Sequence, residues 1–154
     1  MSKIIENIID TIKYNCGIVP EKELYIEEHI DNGNLNIVKK LIKENNELIG
    51  WKDDFGNSLL HIAVHEKQVE IATFLIQAGC DVNAKDDNGE TSLHVAVTFS
   101  DTDIIKLLIN NSADANIKDN TGDTPLSLAD NELSKIIELE DSCNQLSAPL
   151  QADT

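Results

Sequence analysis

Gly56-Asn57-Ser58-Leu59-Leu60-His61-Ile62-Ala63-Val64, followed by Val69-Glu70-Ile71-Ala72-Thr73-Phe74-Leu75-Ile76-Gln77-Ala78-Gly79-Cys80-Asp81-Val82-Asn83, decides how the rest of the chain is read. Moved 33 residues along, the pattern recurs: Gly89, Leu93, His94, Ala96, Leu108, Asp114 and Asn116 fall under Gly56, Leu60, His61, Ala63, Leu75, Asp81 and Asn83. A second move brings Gly122, Thr124, Leu126 and Ala129 into the same register. A fixed period of this size means a stack of like units, none able to bury its apolar face alone.

The order of residue types inside each unit carries its own structural instruction. A glycine stands where a tight hairpin needs positive φ. Ser58 and Thr91 follow as hydroxyl caps of a first helix. Ile71, Phe74 and Leu75, then Ile104, Leu107 and Leu108, form an i, i+3, i+4 apolar stripe on a second helix. Residues 54–86 and 87–119 are the full units, and 120–141 is a third, shortened one in which Asp130-Asn131-Glu132-Leu133 replaces a longer loop. Upstream, helical patterns over Glu21 to Ile30 and Leu35 to Glu44 are joined by Asp31-Asn32-Gly33-Asn34. This first unit, 21–53, has the second half of the pattern without the first.

The segments Asp86-Asp87-Asn88-Gly89-Glu90-Thr91-Ser92-Leu93-His94-Val95-Ala96 and Asp119-Asn120-Thr121-Gly122-Asp123-Thr124-Pro125-Leu126-Ser127-Leu128-Ala129 resemble the ankyrin repeat. The signature of that family is a glycine turn followed by Thr-Pro-Leu-His-x-Ala. The resemblance implies an all-α fold: an ankyrin-repeat solenoid of helix-turn-helix units with β-hairpin loops. About three recognisable repeats follow a degenerate N-terminal capping repeat, so the repeat domain spans 21–141. Residues 1–20 are expected to form an amphipathic helix and turn, with Ile4, Ile5, Ile8, Ile9 and Ile12 on one face. Residues 142–154 carry no period and are expected to be a flexible tail.

Charge narrows the partners. Of 154 residues, 28 are acidic and 12 basic, a formal net charge of -16, and every basic residue is a lysine. Such a surface repels nucleic acid and anionic membranes and attracts a basic protein segment. The lack of arginine also removes the side chain best suited to bidentate phosphate binding. Cys16, Cys80 and Cys143 are far apart and odd in number, which speaks against a disulfide framework or a zinc knuckle. The start Met1-Ser2-Lys3-Ile4-Ile5-Glu6-Asn7 is broken by charges too early for a signal peptide. A cytoplasmic protein, with the nucleus as the other compartment open to it, is the expectation.

No residues point to catalysis, and the sequence calls for no cofactor or metal. His61 and His65 are spaced i, i+4 as in zinc hydrolases, but Ile62 stands where the general-base glutamate would be. His61 also has a counterpart in His94, which has no second histidine four residues on. In the ankyrin family this histidine braces neighbouring loops. Asp53-Asp54, Asp86-Asp87 and Asp101 with Asp103 lack the calcium-loop order of acids around a glycine and read as solvated loop acids.

The resemblance implies instead a protein-binding concave face, made of hairpin tips and the ends of the inner helices. Carried over position by position, it comprises Trp51, Asp54, Phe55, Asn57, His65 and Glu66, then Asp87, Asn88, Glu90, Thr98 and Phe99, then Asn120, Thr121 and Asp123. The aromatic residues among them are not required by the ankyrin core and read as binding anchors ringed by acids.

Within the family, Asn88 to Val97 and Asp103 to Leu108 look like the late repeats of the I-kappa-B inhibitors, and Leu75 to Asp81 like one of their loops. The chain departs from them in having no Asp-Ser-Gly-x-x-Ser phosphodegron and no long acidic tail. It is therefore similar to the truncated ankyrin inhibitors of insect viruses, which act against host Rel/NF-kappa-B factors. That likeness implies immune suppression in the host cell cytoplasm by a chain that is monomeric when unbound. Two other readings stay open: an inhibitor of a cyclin-dependent kinase, and a structural adaptor or assembly chaperone. Asn83 and Asn116, each eight residues after Leu75 and Leu108, also resemble ankyrin asparagines that an asparaginyl hydroxylase modifies.

Overall fold

The computed structural model describes residues 22–146, with side-chain environments described for 26–139. The amphipathic stretch Ile4 to Ile12 and residues 147–154 lie outside the described residues. Eight α-helices follow in pairs: α1 (Lys22–Asp31) with α2 (Leu35–Glu44), α3 (Leu59–His65) with α4 (Val69–Gln77), α5 (Ser92–Thr98) with α6 (Thr102–Ile109), and α7 (Pro125–Leu128) with α8 (Asn131–Leu146). A short 3-10 turn, Asn46–Gly50, closes the first pair. Among the described residues there is no β-strand, and the hairpins appear as isolated bridges, Lys52 to Ser58 and Lys85 to Thr91.

Apolar spacing sets the packing. The odd-numbered helices stack on one another as an inner row and the even-numbered ones as an outer row. Leu59, Leu60 and Ala63 of α3 and Leu93, Ala96 and Val97 of α5 are buried between the rows. From the outer row come Val38, Leu41 and Ile42, then Ile71, Ala72 and Leu75, then Ile104, Ile105, Leu108 and Ile109. Each such leucine or isoleucine stabilises the fold by about 1.5–3 kcal/mol on burial. Leu133 and Ile137 of α8 complete the core at the C-terminal end.

The hairpins are built by one device used three times. The first aspartate of each tip folds its carboxylate over its own turn. Oδ1 of Asp53 accepts from Phe55 N at 2.9 Å and Asn57 N at 2.7 Å. Asp86 does the same for Asn88 and Glu90, and Asp119 for Thr121 and Asp123. Gly56, Gly89 and Gly122 then take φ of 78°, 77° and 94°. That backbone is strained for any residue with a Cβ, as the tight turn required. Asp53, Asp86 and Asp119 are thus structural ties; for Asp53 and Asp86 the expectation is solvated loop acids.

Neighbouring hairpins are stitched at the same period. Asp87 N donates to Phe55 O at 3.1 Å and Asn120 N to Asn88 O at 2.9 Å. Lys52 Nζ donates to Lys85 O, and Lys85 Nζ to Lys118 O, both at 2.6 Å. The last helix runs to Leu146 and has 16 residues, against nine and eight in the outer helices α4 and α6.

Candidate protein-binding face

Ser58 and Thr91 start α3 and α5 as caps, as their position after the hairpin predicted. The histidine three residues on returns the bond: Ser58 N donates to His61 Nδ1 at 3.2 Å, and Thr91 N to His94 Nδ1 at 3.0 Å. The other ring nitrogen reaches the next hairpin. His61 Nε2 meets Glu90 O at 3.2 Å, and His94 Nε2 meets Asp123 O at 3.3 Å. With both nitrogens engaged and the ring buried, His61 has no lone pair to offer a metal. Burial holds its pKa below the ordinary histidine value, with the Glu90 carbonyl working the other way. Among the described residues no cluster of three metal-ligating side chains occurs.

The structure sorts the predicted face into two kinds of residue. One kind builds turns. Asn57 donates its side-chain amide to Asp53 Oδ2 at 2.9 Å, and Asn88 donates likewise to Asp86 Oδ2 at 3.3 Å. Thr121 bonds both Asp119 and Asp123 through its hydroxyl, and Asn120 donates its amide to Asp87 O. Thr98 returns its hydroxyl to the carbonyl of His94 in its own helix. Glu90 contributes a carbonyl to the His61 bridge. Trp51 is half-buried and packs against the hydrophobic core.

The other kind stands exposed. Phe55 is 72% exposed at the first hairpin tip, with Asp54 and Asp87 exposed beside it. His65 and Glu66, at the end of α3, are exposed and bonded to each other at 2.8 Å. Phe99, 41% exposed, does not fold over its own helix but reaches the preceding repeat. There it meets the His65 ring edge-on at 5.1 Å, and Lys67 Nζ lies 5.7 Å from its centroid.

Two residues the sequence reading missed belong to the same face. A cleft of about 290 Å³ is lined by Glu27 and Asp31 of α1, Asp53 and Asn57 of the first hairpin, His61, Ile62, His65 and Glu66 of or beside α3, and Val95 of α5. Glu27 has its pKa raised, first by burial and then by Asp31, Asp53 and Asp54. Asp31 is raised by burial and by Glu66 and Glu28, with His65 opposing. Among the described residues no lysine lines the cleft. Among the described residues none of these carboxylates is ion-paired to a lysine.

The two asparagines that resemble hydroxylation positions differ from each other. Asn83 has both ends of its amide engaged with the next repeat, donating to Ser112 O at 3.1 Å and accepting from Asp114 N at 2.9 Å. Asn116 is exposed and hydrogen-bonds Asp114.

Helix pairs joined by projecting hairpins, with an open inner row, define a repeat solenoid. A family model described as ankyrin repeats in three copies matches residues 26–86, and another, of ankyrin repeats in many copies, matches residues 75–129. Together they cover residues 26 to 129, about two thirds of the chain. The chain belongs to the ankyrin-repeat family, whose members are generally non-enzymatic protein–protein interaction modules. No curated protein matches it. Among the described residues no helix is long and apolar enough to cross a membrane.

Proposed function

We propose that this chain is a binding inhibitor whose acidic concave face grips a basic segment of a protein partner, and that the partner is a Rel/NF-kappa-B-type transcription factor retained in the cytoplasm. The observation that carries the first half is the gathering of Glu27, Asp31, Asp53 and Glu66 around one cleft that, among the described residues, no lysine lines, with Asp54 near Glu27. Opposite charge on a partner speeds encounter and makes the complex sensitive to salt. The Rel identity rests on the likeness of Asn88 to Val97 and Asp103 to Leu108 to I-kappa-B repeats. Without a phosphodegron, such inhibition persists through immune signalling.

Titration of the purified chain against a Rel dimer that carries its basic nuclear-localisation segment tests the reading. Binding should weaken steeply with salt and with Asp87→Lys. Phe55→Ala should cost about 2 kcal/mol if the ring is a central anchor. Absence of binding at micromolar concentration overturns the Rel identity, and tight binding indifferent to salt and to both variants overturns the acidic face.

A further inference from the structure

The interfaces between successive units differ in one side chain that clamps the stack. Between units 54–86 and 87–119, Asn83 reaches across with its amide: Nδ2 donates to Ser112 O at 3.1 Å, and Oδ1 accepts from Asp114 N at 2.9 Å. One period of 33 residues earlier, Gly50 stands for Asn83, Gly79 for Ser112 and Asp81 for Asp114. The receiving loop keeps its shape. Asp81 Oδ1 accepts from Asn83 N at 2.9 Å, as Asp114 Oδ1 accepts from Asn116 N at 2.8 Å, and Gly79 and Ser112 take φ of 98° and 67°. The interface between units 21–53 and 54–86 thus presents the same acceptor and donor, Gly79 O and Asp81 N, without the side chain that serves them. Among the described residues no hydrogen bond reaches either atom. A Cβ on Gly50 would meet nothing within 4 Å, and Gly50, Gly79 and Asp81 all line one cleft of about 500 Å³.

We propose that this cleft binds a primary carboxamide, the side chain of an asparagine or glutamine in a partner polypeptide, which supplies from outside what Asn83 supplies from within at the next interface. An acceptor and a donor side by side select for a group that carries both. A carboxylate has no N–H for Gly79 O, and an ammonium has no acceptor for Asp81 N. A trans backbone peptide points its N–H and C=O in opposite directions, so it cannot serve both atoms from one edge. The cleft falls in the size range of small-ligand sites and exceeds one amide group, which leaves room for the stem and the adjoining backbone. It shares no lining residue with the acidic cleft, so the site goes beyond the basic-segment reading and does not depend on it.

The test uses the full chain and a capped Ala-Ala-Gln-Ala-Ala peptide, its glutamate form and its norleucine form, followed by NMR of the backbone amides of Gly50, Gly79 and Asp81. The glutamine peptide should move the Asp81 amide proton downfield and bind at least about tenfold tighter than norleucine, the difference two hydrogen bonds support. The glutamate form controls for attraction to Lys52 and Lys85, which also line the cleft, and should bind more weakly than glutamine. Gly50→Asn should build the clamp into the chain. It should abolish the glutamine peptide's shifts and raise the urea midpoint above that of Gly50→Ala, which adds a Cβ and no amide. Glutamate or norleucine binding as tight as glutamine, shifts that survive in Gly50→Asn, or no shift at about 10 mM peptide overturns the site. A Gly50→Asn midpoint no higher than that of Gly50→Ala does the same. Acetamide binding as tight as the peptide overturns the polypeptide as the source of the amide. Failure of Rel binding would leave the site standing.

Discussion

At the scale of single residues, the first position of the inner helices α3, α5 and α7 is occupied by three different side chains. Leu59, Ser92 and Pro125 stand at equivalent places, 33 residues apart, just after the caps Ser58, Thr91 and Thr124. Leu59 and Pro125 bring only carbon into that slot. Ser92 is 1% exposed, and its hydroxyl has no hydrogen-bond partner among the described residues. A buried polar group left unpaired costs about 1–3 kcal/mol. Proline suits this place: a first helical position has no use for its N–H, and Thr91 before it is already extended at ψ 165°. Ser92→Pro and Ser92→Ala should each raise the urea midpoint without changing the slope, by roughly 1 kcal/mol or more in stability. A midpoint unchanged in both would mean that water satisfies the hydroxyl.

The same scale shows what the sequence could tell. The caps, the hairpin glycines and the bridging histidines were readable because each recurs with the same neighbours, so one physical role explains several positions. Glu27 and Asp31 were not. The first unit lacks the motif that numbers the others, and its inner helix is ten residues long where α3 and α5 have seven. A count from the glycine therefore misses which of its side chains face the groove. Asn57, Asn88 and Thr121 are a different case: they sit at the hairpin tips, but nothing in residue type alone says that a neighbouring aspartate accepts from their side chains.

Among the elements, the hairpins offer a paired measurement. Gly89 and Gly122 both take positive φ, so an alanine at either is strained by about 1 kcal/mol or more. Their surroundings differ. A Cβ on Gly89 would lie 2.6 Å from Asn120 Oδ1 and 2.9 Å from Asn120 N, whereas nothing lies within 4 Å at Gly122. Gly89→Ala should therefore destabilise distinctly more than Gly122→Ala in chemical denaturation. The difference reports the stacking of one hairpin on the next, and equal costs would mean that the hairpins separate freely. For the inner helices, Leu93 is fully buried at the middle of the stack. Leu93→Ala should cost about 2–5 kcal/mol through the cavity it leaves, read from the same denaturation curves. The acid ties and the seven-residue inner helices explain why the solenoid could be inferred from spacing, while the long α8 could not. Asn131–Leu146 carries no repeat to count against, only apolar positions such as Leu133 and Ile137 that fit any helix.

Over the whole molecule, the acid excess makes stability depend on pH with two opposing signs. Glu27 and Asp31 have raised folded-state pKa values, above their reference values of 4.5 and 3.8. The folded protein thus binds these protons more readily than the unfolded chain, and stability is gained as pH falls through that window. His61 is the contrary case. Its folded pKa lies below the reference 6.5, so stability is present above that value and lost as pH falls toward the folded one. The two contributions separate by substitution. Glu27→Gln with Asp31→Asn should be more stable than the parent near neutral pH, where the parent carries the repulsion. The advantage should shrink as the pH falls through the reference values of 4.5 and 3.8, where the parent's own carboxyls take up protons. An advantage that persists at low pH would show that the gain comes from something other than charge.

The stitching of the hairpins also bears on how a chain like this changes length over evolutionary time. Asp87 meets the repeat before it much as Asn120 does, through a backbone N–H to the preceding tip and a side chain over the preceding glycine. The lysine at each hairpin base finds the same carbonyl one unit on. Residues 87–119 therefore present at their trailing edge the surface they accept at their leading edge. A tandem duplication of that segment in the coding sequence would introduce no junction the protein does not already contain. The new copy would move the C-terminal helix one period further from the acidic cleft, lengthening the surface offered to a partner while leaving both ends intact.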